Sequence, residues 1–205
     1  MEKVSKNINM LEVAIEGNES GLLQAQADKT APRGKSRRLK LLERVGCLGT
    51  PPAGVHITRA TTSLELKNAY KLVYETYLSK GYILPNKMGL RLRVFEALPE
   101  TATFIAKIDD RIIGVTSVVP DSIDLGLPSD EAFRSEIDQI RRRKRKICEG
   151  TNWVIAPEFR RTSVLNELMR CAFAYVVASG YDDWIVAVSR GHEAFYEFLG
   201  FKTVG

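Results

Sequence analysis

The chain predicts an α/β protein in which a sheet of mixed strand direction is flanked by helices in three layers, preceded by a weakly ordered N-terminal extension. Three observations lead there. Residues 152–201 read strand, helix, strand, helix; residues 103–119 read as an antiparallel hairpin; and helices with recognisable start signals stand before and after that hairpin.

Residues 1–55 read as the extension. Small and polar residues dominate, Gly17, Gly21, Gly34, Gly46, Gly49 and Gly54 interrupt the stretch, and Pro51-Pro52 marks a break before His56. A weakly ordered tail is the main expectation, with a short amphipathic helix through Leu39, Leu42 and Val45, able to dock on the domain or on a membrane surface, as the alternative. The folded domain is expected over residues 56–205.

Its first helix opens at Thr62-Ser63-Leu64-Glu65, a capping-box sequence, and carries Leu66, Tyr70, Val73, Tyr74 and Tyr77 on one face until Gly81. Strands are expected over 103–108 and 111–119 around a tight Asp109-Asp110 turn, with Gly114 marking a bulge or the close approach of another backbone. Ser129, followed by Asp130 and Glu131, is expected to cap a second helix running toward Ile140. Trp153-Val154-Ile155 forms the next strand. Leu165, Leu168, Met169, Ala172, Phe173, Val176 and Val177 then recur at intervals of three and four, the stripe of a packed helix, which Gly180 closes. Trp184-Ile185-Val186-Ala187-Val188 is apolar at consecutive positions, as in a parallel strand covered on both faces. Strand, helix and strand make a βαβ unit, and the helix starting after Arg160-Arg161 turns unpaired N–H groups toward the sheet edge, where a phosphorylated ligand is readily held.

A chain of 205 residues with 44% hydrophobic content buries one good core. No apolar stretch reaches membrane-spanning length and no secretion signal opens the chain, so a cytoplasmic protein is expected. Cys47, Cys148 and Cys171 have neither disulfide nor zinc spacing, and two histidines, His56 and His192, argue against a histidine metal site. Cys171 reads as core. The net charge is +5, yet Arg141-Arg142-Arg143-Lys144-Arg145-Lys146 alone exceeds it and a second basic run covers residues 33–44. The remainder is therefore acidic, which points to a specific acidic partner more than to a general nucleic-acid surface. A solvated helix face is the competing reading of residues 141–146.

In order and spacing, Val73-Tyr74-Glu75-Thr76-Tyr77 with Gly81-Tyr82, Ile113-Gly114-Val115-Thr116-Ser117, Gly126-Leu127-Pro128, Ile147-Cys148-Glu149, and His192 with Phe195-Tyr196 and Gly200-Phe201 resemble the GNAT superfamily of N-acyltransferases. Within it they resemble the N-acyl amino acid synthases and the related acyl-homoserine lactone synthases. The resemblance implies a GNAT-like domain in a bacterial enzyme. It also implies transfer of a fatty acyl group from acyl carrier protein to the α-amine of an amino acid, without a covalent enzyme intermediate and without a tightly bound cofactor. Two departures steer that choice. The loop Arg160-Arg161-Thr162-Ser163 lacks the glycines that let acetyl-CoA-using members close on a pyrophosphate, which favours a carrier-borne acyl-phosphopantetheine over acyl-CoA. Asn152 stands where the lactone synthases usually carry arginine, which favours an amino acid acceptor.

The resemblance assigns residues as follows. Glu149 is the expected general base, its pKa raised by burial; pairing with a neighbouring arginine is the competing role. Tyr196 is the expected acid for the leaving thiolate, with aromatic packing as the alternative, and His192 either a second base, an orienting group for the acceptor's carboxylate, or a helix-start residue. Backbone N–H groups of Trp153, Val154 and Ile155 are expected at the oxyanion, with Arg160, Arg161, Thr162 and Ser163 at the donor phosphate. Tyr74, Tyr82 and Arg91 are expected around the acceptor, Arg91 gripping its carboxylate. Trp153, Phe104, Val118 and Val119 line an acyl tunnel or are plain core. Arg141, Arg142, Arg143, Lys144, Arg145 and Lys146 are expected to dock the acidic carrier. An acetyl-CoA-dependent acetyltransferase is the near alternative; a non-catalytic module binding through its basic patch is the alternative of another class.

Overall fold

The computed structural model describes residues 8–14, 51–189 and 191–204. The expected amphipathic segment at Leu39, Leu42 and Val45 lies outside the described residues. A seven-stranded sheet is built from β1 (Ile8–Ala14), β2 (Val55–Arg59), β3 (Ala102–Ile108), β4 (Arg111–Pro120), β5 (Ile147–Ile155), β6 (Asp183–Ser189) and β7 (Lys202–Thr203), in the spatial order β2-β3-β4-β5-β6-β1-β7. The helices are α1 (Ser63–Ser79), α2 (Asp130–Arg141), α3 (Val164–Ala178) and α4 (Glu193–Phe198), with single 3₁₀ turns at Val94–Ala97 and Pro157–Phe159.

Every strand pair is antiparallel except β5 with β6, which is parallel because α3 crosses over between them. The mixed α/β sheet flanked by helices is thus the expected one. β1 was not expected: it lies inside the stretch read as an extension, yet pairs along its whole length with β6 and, at Leu11 and Glu12, with β7. β2 was also not read as a strand, although His56 was placed at the domain boundary.

Local chemistry explains the helix ends. The Thr62 hydroxyl accepts from the Glu65 amide at 3.2 Å while the Glu65 carboxylate accepts from the Thr62 amide at 3.3 Å, the reciprocal capping box. α3 ends where Gly180 enters the left-handed region at φ +68, freeing its own amide for Val177 O and that of Tyr181 for Val176 O. The buried stripe of α3 is narrower than its periodicity suggests. Leu168, Met169, Ala172 and Val176 are buried with Val164, but Phe173 and Val177 are nearly half exposed. Cys171 is half-buried against the same core.

The two faces of the sheet carry separate cores. On one, α3 packs with Cys148, Trp184, Val186, Val118 and Phe104, joined by Tyr196 and Phe201. On the other, α1 sits over Ile105, Val115 and Val154 and α2 over Ile147 and Ile185. Close packing on the α3 side needs glycine at two positions. A Cβ on Gly114 would lie 2.8 Å from both Ile155 Cδ1 and Leu168 Cδ1, so side chains rather than a backbone make the close approach expected there, and a register shift opposite Ala106 and Lys107 supplies the expected bulge. A Cβ on Gly150 would lie 2.6 Å from Trp184 Nε1.

Candidate active site

β5 organises the site because its two edges part company. Pairing with β6 runs from Ile147 opposite Asp183 to Gly150 opposite Val186 and stops, while pairing with β4 continues to Ile155 opposite Gly114. The stop coincides with a bulge. Val115 faces Val154 and Ser117 faces Thr151, so β5 carries one residue more than β4 across that step, and Asn152 takes a left-handed backbone at φ +58. Beyond Gly150 the strand therefore turns one row of backbone groups toward an opening between β5 and β6. Val154 and Ile155 point their side chains into the two cores, so what they offer a ligand is backbone. Trp153 packs 6.0 Å from the Trp184 ring, its buried Nε1 without a partner.

Glu149 stands at the base of this opening. It is 2% exposed, and its carboxylate accepts from the Ser129 amide at 2.9 Å and the Ser129 hydroxyl at 2.8 Å. Burial raises its pKa to about 7; the two Ser129 bonds and the positive charge of Arg93 hold it from rising further. Ser129 was expected to cap α2, and here the expectation is corrected: α2 begins after it, but its hydroxyl makes no cap bond because Glu149 takes it. Nor does Glu149 form the arginine ion pair offered as its competing role.

The nearby arginine has its own carboxylate. Arg93 binds Glu96 through its amide and its guanidinium, with Nη2 to Oε1 at 2.5 Å, and Nη2 also reaches Thr151 Oγ1 at 3.3 Å. Buried Glu96 accepts from Asn152 Nδ2 at 3.1 Å, Asn152 reaches Ser117 Oγ at 3.3 Å, and Ser117, Thr103 and Tyr70 continue in steps of 3.0 Å. This polar network on the α1 side holds the bulge in place. Sequence reasoning missed Arg93 and Glu96. Opposite charges three apart around apolar Val94 and Phe95 were the available signal.

At the open end the expected acceptor residues separate. Arg91 lies 5.6 Å over the Tyr77 ring, its buried Nε without an acceptor; burial lowers its pKa, with repulsion from Arg93 adding to that. Tyr82 reaches Ser189 Oγ at 3.4 Å, and Ser189 Oγ lies 3.0 Å from His192 Nδ1. Tyr74 does not join them. Its hydroxyl accepts from the Asn86 amide at 3.2 Å, anchoring the following loop. Tyr196 is buried against Phe195 and Phe201; burial raises its pKa and the neighbouring Tyr77 adds to the rise. His192 is the residue before α4 and is exposed. Its partner Ser189 lies past Ile185, which faces Glu149, by four residues, roughly 13 Å of strand. Glu149 and His192 therefore do not exchange a proton directly.

The donor loop is short of hydrogen-bond freedom on one side and rich on the other. Thr162 Oγ1 donates to Phe159 O at 2.7 Å, Arg160 Nε reaches Ile155 O at 3.4 Å, and Arg161 takes φ +71, a conformation glycine adopts more readily. Ser163 precedes α3 with its hydroxyl buried and unpartnered. Next to it the first-turn amides of α3 have no carbonyl behind them to bind. Phe104, Val118 and Val119, considered for an acyl tunnel, are buried in the core.

The basic run divides. Arg141 is drawn inward, bonded to Asp121, Asp130 and Asp138 at 2.6 to 2.8 Å, and Arg145 Nε binds buried Asp183 at 2.8 Å. Lys146 reaches Ser179 O and the Tyr181 ring. α2 ends at Arg141 and Lys144 turns at φ +56, so the run is not a solvated helix face. Arg142, Arg143 and Lys144 are exposed. A depression of about 370 Å³ lies beneath the β4–α2 loop, lined by Asp121, Ile123, Asp130, Arg134 and Arg141. Glu149 is not on its wall.

The N-acyl amino acid synthase FeeM family matches residues 68–205, a span that takes in Glu149, the bulge and the whole of the opening. The chain belongs to that family. Membership makes it an N-acyltransferase rather than a non-catalytic binding module. The structure of FeeM, an N-acyl amino acid synthase from uncultured soil microbes, superposes with a TM-score of 0.65 at 21% identity, over 74% of this chain and 80% of that one. An acyl-CoA N-acyltransferase from Pseudomonas aeruginosa gives 0.53 at 13% identity, over 71% and 87%. An aminoglycoside acetyltransferase from an uncultured soil metagenomic sample gives 0.50 at 10% identity, over 73% and 87%. These likenesses give the FeeM-family chain its GNAT fold. No curated protein sequence matches it.

Proposed function

We propose that this FeeM-family enzyme moves a fatty acyl group from the phosphopantetheine thioester of acyl carrier protein to the α-amine of an amino acid. The observation that carries the reading is Glu149, a buried carboxylate with a pKa of about 7 at the base of the β5/β6 opening. Deprotonated, it takes a proton from the amine, directly or through one water, and the nitrogen attacks the thioester carbonyl. The C–N bond forms and the carbonyl oxygen becomes an oxyanion, met by backbone N–H on residues 153–155 of the open strand edge. Collapse breaks the C–S bond, and Tyr196 supplies the proton to the departing sulfur. Its raised pKa keeps the phenol protonated until then. Arg91, with a buried donor unused, suits the acceptor's carboxylate.

The donor phosphate is assigned to Ser163 and the first turn of α3. The loop carries Arg161, Thr162 and Ser163 in place of the glycines that wrap a pyrophosphate, which supports a carrier-borne donor. Arg142 and Lys144 are exposed cations suited to an acidic carrier.

The test supplies the purified chain with amino acids and a long-chain acyl group borne either by acyl carrier protein or by CoA, with mass spectrometry of the products. N-acyl amino acid from the carrier-borne donor, lost in Glu149→Gln, is the expected result. Equal or faster use of CoA thioesters overturns the carrier assignment, and full turnover by Glu149→Gln removes Glu149 from the mechanism.

A further inference from the structure

The loop after α1 faces its side chains the wrong way for a soluble surface. Its polar groups are spent inward: Asn86 Oδ1 accepts from the Met88 and Gly89 amides at 3.1 and 2.9 Å, Asn86 Nδ2 donates to Leu90 O at 3.0 Å, and Tyr74 OH takes the Asn86 amide. Its apolar groups face water. Leu84 is 86% exposed, Met88 67% and Val94 54%, and Tyr82 and Leu92 are exposed beside them. Most large apolar side chains left outside a core stand singly. Here five fall within residues 82–94, and Met88 stands on a turn held by the Asn86 hydrogen bonds rather than free to collapse.

Charge selects the occupant. Lys80 and Lys87 flank the turn and no Asp or Glu intervenes between Glu75 and Glu96, while Arg91 and Arg93 are turned inward. Lys80 and Lys87 are exposed. Apolar side chains and an exposed tyrosine at a tip rimmed by lysines match the boundary of an anionic bilayer, where the tails accept Leu and Met and the headgroups accept the ammonium groups. None of the described helices is long and apolar enough to cross a membrane, so the contact is interfacial.

We propose that the turn around Asn86, carrying Leu84 and Met88, seats the enzyme on an anionic lipid surface. Tyr82 reaches Ser189 Oγ at the end of β6 that has left β5, so seating would place that end of the strand toward the membrane. Release of an acylated, amphiphilic product there rests on the acyl-transfer reading; the lipid binding does not.

The full chain is sedimented with vesicles of phosphatidylcholine alone or with one third phosphatidylglycerol. Binding to the anionic vesicles is expected, with Leu84→Glu/Met88→Glu lowering the partition coefficient by about tenfold or more while the circular dichroism spectrum and thermal midpoint are kept. Leu84→Trp should shift its emission to the blue on the same vesicles. The proposal fails if the wild type stays in the supernatant, or if the double variant binds as the wild type does, which would assign binding to the basic N-terminal residues. It fails equally if the double variant loses acyl carrier protein and keeps vesicles, because the loop then serves the carrier. None of these readouts depends on turnover, so acyl transfer can fail its own test without deciding this one.

Discussion

Glu149 gives both carboxylate oxygens to one residue, Ser129, which binds them through its amide at 2.9 Å and its hydroxyl at 2.8 Å. The two residues lie on different elements, one in the middle of the sheet and the other at the start of α2. The bonds favour the charged form and burial favours the neutral one, and the balance leaves the pKa at about 7.

Two pH effects follow with definite signs. Turnover requires the carboxylate, so its rate should fall as pH drops below about 7. Ser129→Ala removes one donor to the anion and should move that acid limb upward by roughly one pH unit. A limb unchanged in the variant would separate Ser129 from the tuning of Glu149.

Stability should run the other way. The folded pKa lies above the unfolded one, so the folded chain binds more protons between the two values. This group's contribution is therefore most favourable at low pH and is lost as pH rises through about 7, on the order of 3 kcal/mol in all. Glu149→Gln cannot titrate. Comparing thermal midpoints at pH 5 and pH 8 should show the variant gaining on the wild type at the higher pH.

Arg141 and Arg142 are neighbours in sequence with different duties. Arg141 neutralises Asp121, Asp130 and Asp138 with its side chain a quarter exposed, so Arg141→Ala should cost roughly 1–3 kcal/mol after solvent screening. Arg142→Glu/Lys144→Glu should leave stability within about 0.5 kcal/mol. The same pair should raise KM for the carrier-borne donor and leave use of a small thioester unchanged. Urea denaturation and steady-state kinetics distinguish the two classes.

Gly150 sits where β5 and β6 begin to part. Adding a methyl there meets the rigid, fully buried Trp184 indole, so Gly150→Ala should cost roughly 1–3 kcal/mol. Because the displaced strand edge is the one assigned to the oxyanion, kcat should fall more than KM rises.

Asn152→Ala should cost roughly 2 kcal/mol, from a side chain strained at φ +58 and from Glu96 and Ser117 losing a donor in the interior. Asn152→Gly relieves the strain and keeps the second loss, so its cost should be smaller. Equal costs in chemical denaturation would count against backbone strain at the bulge.

What could be read in advance was whatever depends on near neighbours in the chain. The Thr62 capping box, the stripe on α3, the hairpin around Asp109 and the apolar run of β6 are all set by residues within a turn or a strand of one another, and each stands where its spacing indicates, save that Phe173 and Val177 of the α3 stripe face solvent. Glu149 was named through the family resemblance, with burial at the head of an apolar strand as the physical reason for a raised pKa. Ser129 was assigned to the wrong partner because a serine before Asp-Glu is locally a cap; only the packing of α2 on β5 reveals the stronger acceptor. The parting of β5 from β6, the left-handed Asn152 and the inward turn of Arg141 depend on groups far apart in sequence, and no periodicity reports them. β1 was missed for the same reason: a lone strand followed by a long glycine-punctuated stretch carries no sign of the edge it will join.

That first strand has a consequence for how the molecule is made. β1 lies between β6 and β7, so a segment made before β2 to β5 finds its hydrogen-bonding partners only in segments made after them. A nascent chain leaving the ribosome must carry Ile8–Ala14 unpaired until β6 follows, with the long loop that spans β2 to β5 still to be closed. The sheet from β2 to β5 has no such wait, so joining of β1 is expected to be a late event in folding.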